Sequence, residues 1–414
     1  MKDSGVEWIG EIPDEWTVIP LKYTAKCNNQ VLSEQTDGDT QIFYIDIGSV
    51  SSDGNILEVQ TLSFEEAPSR ARRVVYENDT IISTVRTYLK AIAFISKSYN
   101  NFIVSTGFAV LTPQKQYDSR YFYYALRVDW FISLIESNSV GISYPAINSE
   151  KLISLPNIVP PLQTQNRIAS FLDTKCSLID STIEKEREII EKLKEYRQAV
   201  ITEAVTKGIR AGVPMKDSGV EWIGEIPEGW NFSRVKYEFI ILDDKRQPIS
   251  SEFRGDIEGF YDYYGASGII DKINDYLFDE TLLLIGEDGA NLVMRNLPLI
   301  YIAKGKYWVN NHAHVLKPKE TNNLYYMAYQ LESVDLFSFI TGSTQPKLTQ
   351  YKLSIIPVIV PPLSEQQEIA DFLDKKCSGI DTTIQKRELA IEKLTAYKQS
   401  LIYECVTGKR EVLA

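Results

Sequence analysis

PPLQTQNRIASFLDTKCSLIDSTIEKEREIIEKLKEYRQAVITEAVTKG, residues 160–208, occurs a second time in altered form. Residues 361–409 read PPLSEQQEIADFLDKKCSGIDTTIQKRELAIEKLTAYKQSLIYECVTGK, and the two copies align without a gap. Identical residues occupy 27 of the 49 positions. A second repeat frames the first: MKDSGVEWIGEIP stands at 1–13 and again at 215–227. The sequences enclosed by these frames differ from each other. Like frames around unlike inserts predict two units of the same build with different surfaces.

The repeated stretch is helical in pattern. Leu172, Cys176, Ile179, Ile183, Ile190, Leu193 and Val200 fall on alternating spacings of four and three, and Leu373, Cys377, Ile380, Ile384, Ile391, Leu394 and Leu401 do the same. A seam repeating every seven residues predicts a coiled coil, with Ile179, Ile183, Ile190 and Leu193 of one helix and Ile380, Ile384, Ile391 and Leu394 of the other as packing residues. Thirty to 45 helical residues span roughly 45 to 65 Å, which is about one to two turns of B-DNA. Ser364 with Gln367 reads as a capping box, as do Ser177 with Asp180 and Ser378 with Asp381. The latter two predict a kink or a fresh helix start after a short lead-in from Pro160 or Pro361.

The inserts read as mixed α/β. In the first, YIDIGSV (44–50), VVYENDTIISTV (74–85), KAIAFI (90–95) and NFIVSTGFAVLTP (101–113) are strand-like, and Asp53-Gly54 is a hairpin turn. Residues 119–137 read as helix, and 137–156 as a loop leading to a last strand. The second insert follows the same order, with a helix over 324–340 and a loop over 341–362. Trp8 and Trp16, with their copies Trp222 and Trp230, are expected to anchor each opener to a core. The organisation is therefore an α+β fold with four segments: insert domains at 1–159 and 215–360, and helical segments at 160–214 and 361–414.

Net charge is −12. Each insert domain carries −6, with 13 basic against 19 acidic side chains in 1–159 and 14 against 20 in 215–360. The helical segments are nearly neutral. This balance excludes a generally basic nucleic-acid binder, so any DNA contact rests on local patches. There is no apolar run long enough to span a bilayer and no signal-peptide core. Four cysteines without CxxC spacing read as free thiols in a reducing cytoplasm rather than as metal ligands. His312 and His314 lack partners at ligand spacing and read as a turn and strand pair. The double-proline sites read VPPL, not the N/D-P-P-F/Y of an amino-methylase, and no GxxxxGK[ST] loop is present.

A tandem repeat of this kind predicts a pseudo-dimer with two unlike heads on antiparallel helices, suited to an asymmetric target with two parts at fixed separation. In WIGEIPDEW (8–16), WIGEIPEGW (222–230) and the two PPLxxQ…FLD…C…ID helices, the chain resembles the specificity subunit of type I restriction-modification systems. ISTVRTYLKAIAF (82–94), VSTGFAVLTP (104–113), LIGEDGANL (284–292) and WVNNHAHVLKP (308–318) add to the resemblance, which covers essentially the whole chain. It implies two target recognition domains, each reading half of a split double-stranded DNA sequence through the major groove. It implies helices that set the spacer and bind two modification subunits, and restriction subunits joining that core. S-adenosylmethionine, ATP and Mg would be held by those partners, with no cofactor, metal or catalytic residue in this chain. A coiled-coil scaffold that does not touch DNA is the alternative, favoured by the acidic charge and disfavoured by the unlike inserts.

Sequence readers use Arg or Lys on guanine, Asn or Gln on adenine, and small polar or basic groups on phosphate. The candidates in the first insert are Arg70, Arg72, Arg73, Arg86, Tyr88, Lys90, Ser143 and Tyr144. In the second they are Lys245, Arg246, Asn291, Arg295, Asn310, Asn311, Gln345 and Lys347. Arg86 and Lys347 stand out because each lies beside Ser or Thr at a loop or strand edge. Asp288-Gly289 is expected to be a tight turn presenting Asn291.

Overall fold

A computed structural model describes the chain apart from residues 8, 98–100, 222, 251, 253–258, 343, 344, 413 and 414. It forms two compact units, Met1–Glu186 with Leu389–Ala414, and Arg187–Glu388. Each unit thus combines one insert, the first half of the long helix that follows it, and the second half of the other long helix.

In the first unit, the strands Gln60–Ser63, Gln41–Ile45, Phe102–Ser105 and Ala71–Val74 make one four-stranded sheet in that order. Ala25–Cys27, Phe108–Pro113, Thr80–Ser83 and Ile92–Phe94 make a second. The second unit repeats both. Gly268–Ile273, Tyr261–Gly265, Lys306–Val309 and Phe278–Asp279 match the first sheet, and Phe239–Ile241, Ala313–Pro318, Leu282–Gly286 and Ile300–Ala303 match the second. In each unit one central pair is parallel, Phe102–Ser105 on Gln41–Ile45 and Tyr261–Gly265 on Lys306–Val309, and the remaining pairs are antiparallel. Central strands such as Thr80–Ser83 and Leu282–Gly286 are buried along their whole length, so they read as unbroken runs rather than as alternation. The Asp53-Gly54 turn closes between Val50 and Ile56, which bridge.

The helix expected over 119–137 is two, Ser119–Leu126 and Asp129–Ser137. The helix expected over 324–340 stops at Glu332. There the Ser333 hydroxyl donates to the Gln330 carbonyl and the Arg295 guanidinium to the Glu332 carbonyl, satisfying the last turn.

The two long helices are Leu162–Lys207, of 46 residues, and Leu363–Val406, of 44. Both run unbroken through Ser177 and Ser378, so neither serine starts a helix. Each start falls just after the Pro-Pro pair instead, since the second proline carbonyl accepts the first helical N–H groups and proline needs no N–H partner of its own. Ser364 lies inside the first turn rather than at the cap.

In the first unit Ile168, Leu172, Cys176, Ile179 and Ile183 share a core with Leu401, Ile402, Cys405 and Val406. In the second, Ile369, Leu373 and Cys377 share one with Ile201, Ala204 and Val205. Early turns of one helix meet late turns of the other, so the helix segments within each unit run antiparallel. Ile190 and Ile380 are buried, while Leu193, Ile384, Ile391 and Leu394 are half-buried.

Equivalent residues of the two units make matching contacts. Buried Gln165 donates to the Pro160 carbonyl at 2.8 Å and accepts from the Asp118 N–H at 2.9 Å. Gln366 does the same with Pro361 at 2.9 Å and Asn323 at 2.8 Å. Tyr121 donates its hydroxyl toward the carbonyls of Ile158 and Val406, and Tyr326 toward those of Ile359 and Val205. Lys398 pairs with Asp180 at 2.7 Å, and Arg197 with Asp381 at 2.9 Å. Each long helix ends in a left-handed glycine, Gly208 or Gly408, against a tryptophan of the opener. A Cβ at either glycine would lie 3.2 Å from Trp230 or Trp16 respectively. Trp8 and Trp222 lie outside the described residues.

All four cysteines are free. Burial pushes the Cys176 thiol up to about 11 and the Cys405 thiol up to about 12, so both are inert packing groups. Among the described residues no helix is long and apolar enough to cross a membrane.

Candidate nucleic-acid interface

In each unit, two loops meet at one end of the second sheet. In the first unit, the loop after Thr80–Ser83 meets residues 138–147: the Ile147 N–H donates to the Thr84 carbonyl at 2.9 Å, and Val85 bridges Ala146. In the second unit, the Leu348 N–H donates to the Glu287 carbonyl at 2.7 Å, and Asp288 bridges Lys347. A small hairpin closes each loop pair, through Val140 with Ala146 and Thr341 with Lys347. Gly141 and Gly342 have positive φ at its corner, where a Cβ would lie 3.1 Å from the Tyr144 carbonyl oxygen or 2.5 Å from that of Gln345.

The same scaffold carries different side chains. These contacts place Arg86 where the other unit has Gly289, and both have positive φ, 51° and 103°. Arginine is strained there and glycine is not. Tyr144 corresponds to Gln345, Ala146 to Lys347, and Lys90 to Arg295, the last two both at φ near 50° after a short helical turn.

In the first unit, exposed Arg86 has its guanidinium over the Tyr144 ring at 5.0 Å. Tyr88, Lys90, Ser143 and Tyr144 are exposed beside it. The other arginines of this unit's candidate set are engaged. Arg70 pairs with Asp46 and touches the Tyr44 hydroxyl; these two partners raise its pKa. Arg72 lies over the Phe64 ring at 4.7 Å and donates to the Ala71 carbonyl. Arg73 is half-buried and donates to the Phe108 carbonyl, and burial lowers its pKa. The sequence cluster Arg70, Arg72 and Arg73 is thus not one basic patch: its members turn to three different partners.

In the second unit the candidates separate further. Arg246 is largely buried, 2.7 Å from Glu287 and 3.4 Å from Asp243, and it donates to the Ala313 carbonyl at 2.8 Å. Lys347 is exposed, with its ammonium 3.1 Å from Glu287. Burial works to raise the Glu287 pKa, but hydrogen bonds from Arg246 and Lys347 outweigh it and hold the carboxyl below its ordinary value. Buried His314 completes the cluster, with Nδ1 2.6 Å from Asp243 and Nε2 donating to the Leu348 carbonyl at 2.7 Å.

Asn291 starts a helical turn, and its amide is taken up by Leu297 and Pro298, so the Asp288-Gly289 turn does not present it. Asn310 is buried and accepts the His312 N–H at 2.8 Å. Arg295 caps the 324–332 helix. Lys245, Asn311 and Gln345 are exposed. His312 lies 2.7 Å from Asp288, and among the described residues no group of side chains has a metal-holding arrangement.

Sequence reasoning named Tyr144 at the tip of the first hairpin but missed the aliphatic residues beside it, Val140 and Ile142. Val140, Ile142 and Tyr144 are 81%, 102% and 66% exposed. The signal was present in VGISYP, where a β-branched residue is flanked by turn formers with no alternation to bury it.

Two copies of one α/β unit, built on shared long helices and given unlike loops at the same place, define a duplicated scaffold with two different contact surfaces. The family model for the type I restriction modification DNA specificity domain matches residues 13–195 and 227–393. The chain belongs to this family. It is 25% identical over 424 residues to a putative type I restriction enzyme MjaX specificity subunit of Methanocaldococcus jannaschii, covering 98% of this chain and 96% of that protein. It is 37% identical over 134 residues to a putative type I restriction enzyme specificity subunit of Haemophilus influenzae, a stretch that is 34% of that protein. A chain from a structure of type I restriction-modification complex assembly shares the fold, with TM-score 0.76 at 19% identity over 97% of this chain and all of that one. The HsdS subunit of Thermoanaerobacter tengcongensis gives TM-score 0.53 at 19% identity over 99% of this chain and all of that one.

Proposed function

We propose that the chain is the non-catalytic, DNA-reading subunit of a type I restriction-modification complex. Each unit reads one half of an asymmetric bipartite sequence. The long helices fix the spacing between the halves and dock two modification subunits, which methylate adenine N6 with S-adenosylmethionine. Restriction subunits, using ATP and Mg, join that core.

The observation that supports this reading is the pair of equivalent loop sets with unlike side chains. One scaffold position holds Arg86 over Tyr144 in the first unit and Gly289 beside Lys347 in the second. Reading two different half-sites from one scaffold requires unlike side chains at equivalent loop positions. Arg86, Tyr88, Lys90, Ser143 and Tyr144 form the proposed contact set of the first unit, and Lys245, Asn311, Gln345 and Lys347 that of the second. Arg70, Arg72, Arg73, Arg246, Asn291, Arg295 and Asn310 act by holding strands and loops in place. The net charge of −12 makes DNA binding by the isolated chain weak, so cationic partners supply part of the phosphate neutralisation.

Selection from a random duplex pool, with and without the modification subunits, tests this. A two-part motif with a fixed spacer is expected with the subunits present, and an unstructured pool would refute the proposal. Exchanging residues 17–156 for another family member's insert is expected to change one half of the motif and leave the other.

A further inference from the structure

The strongest feature outside the polar contact set is the tip of the 138–147 hairpin. Ile142 has 102% of its reference surface exposed, between Gly141 and Ser143. An isolated exposed aliphatic residue is ordinary. Here three further facts accompany it. The hairpin backbone is fixed by the Val140–Ala146 and Val85–Ala146 bridges and by the Thr84 carbonyl. Two residues on, Tyr144 carries the Arg86 guanidinium at 5.0 Å. Arg86 also occupies a left-handed backbone position in a loop that uses glycine in the other unit, and among the described residues no carboxylate pairs with it. A cation held in a strained conformation on an aromatic shelf, inside a domain of net charge −6, is positioned for an acceptor outside the chain.

We propose that Ile142 is a specificity-determining residue that covers the 5-methyl group of a thymine in the first half-site, beside the base pair contacted by Arg86. The inference rests on the DNA-reading function above. In the major groove, thymine alone among the four bases presents a methyl group, and aliphatic side chains discriminate it by burying that group. Of the two exposed branched aliphatic residues on this hairpin, Val140 is tied into the bridge to Ala146 and Ile142 stands free at the tip, and the shelf beside it brings a donor suited to guanine. The segment from Gly342 to Lys347 reads GSTQPK and has no branched aliphatic residue at the position of Ile142, so the proposed contact is assigned to the first half-site.

The test uses the full chain with its modification subunits, and as probe the duplex recovered from the random pool with each thymine in turn replaced by deoxyuridine. Deoxyuridine removes the methyl and nothing else. One position in the first half-site is expected to weaken wild-type binding by about three- to tenfold, in keeping with one buried methyl group. Ile142→Ala is expected to bind the thymine duplex as weakly as wild type binds the deoxyuridine duplex, and to show no further loss on deoxyuridine. Ile142→Val, which keeps a branched methyl surface, is expected to retain most of the sensitivity. The inference is overturned if no deoxyuridine position in that half-site matters, or if Ile142→Ala keeps the full sensitivity. It is also overturned if Ile142→Ala weakens all duplexes equally while 2-aminopurine beside the site brightens on wild-type binding, the behaviour of a wedge that opens a base step. A pool that yields no bipartite motif refutes the DNA-reading function itself, which separates that failure from this one.

Discussion

Replacing Arg86 with glycine and, separately, with alanine divides a contact from the strain that positions it. Arg86 has φ 51° and ψ 50°, a conformation that costs a residue with a Cβ roughly 1–2 kcal/mol. Glycine relieves that strain but gives back about 0.4–1 kcal/mol through the freer unfolded chain. Either change removes the guanidinium from the Tyr144 ring, worth about 0.5–1 kcal/mol at an exposed site. Arg86→Ala keeps the strain and loses the stack, so it should be destabilised by about 0.5–1 kcal/mol. Arg86→Gly should be more stable than Arg86→Ala by about 1 kcal/mol, a difference of roughly 2–4 °C in the Tm of a unit this size. Both should lose about 1–3 kcal/mol of discrimination at one base pair, or roughly 5- to 150-fold. Calorimetry on both variants, with binding to the selected duplex and its single-base variants, reads the two effects independently. Loss of affinity spread evenly over all duplexes would make Arg86 a phosphate contact. A glycine variant less stable than the alanine variant would show that the left-handed backbone there is not strained.

The remaining predictions concern the supports of the two loop sets and the helices. Glu287→Gln breaks a pair whose side chains are 13% and 14% exposed, and Arg246 keeps Asp243 as a partner, so we expect a loss of about 3 kcal/mol, the low end for one partner of a buried pair. Because the Glu287 carboxyl is held below its ordinary value of 4.5, its contribution is present above about pH 4.5 and lost as pH falls through the folded value. The Gln variant should therefore show a flatter acid limb in urea titrations, and an unchanged limb would remove the carboxyl from the acid unfolding. Gln366→Leu strands the Asn323 N–H and the Pro361 carbonyl, and should cost about 2–6 kcal/mol in denaturant unfolding at roughly 1–3 per buried group; a cost below 1 would mean that water replaces the amide. Inserting four residues near Thr202–Thr206 lengthens the first long helix by about 6 Å, and methylation mapping should then find a longer spacer between unaltered half-sites.

The duplication, the heptad seam and the equivalence of the two inserts follow from residue spacing alone. They are regularities within one helical turn or between two aligned copies, and local patterns carry them. Gln165 with Gln366, Tyr121 with Tyr326 and Asp180 with Asp381 recur because each makes the same buried or paired contact in both units. The partners of the charged residues follow a different rule. Arg246 meets Glu287 across 41 residues, Arg73 meets the Phe108 carbonyl across 35, and Lys398 meets Asp180 across 218. An arginine in a linear cluster looks available because its carboxylate or carbonyl partner arrives from another strand. Only chain return separates Arg86, stacked on an aromatic ring beside an exposed hairpin tip, from Arg73 and Arg246, which are consumed in holding the sheets. The helix starts show the same limit. Ser177 and Ser378 have capping sequences, yet both helices continue through them, because apolar packing on either side outweighs one local hydrogen bond.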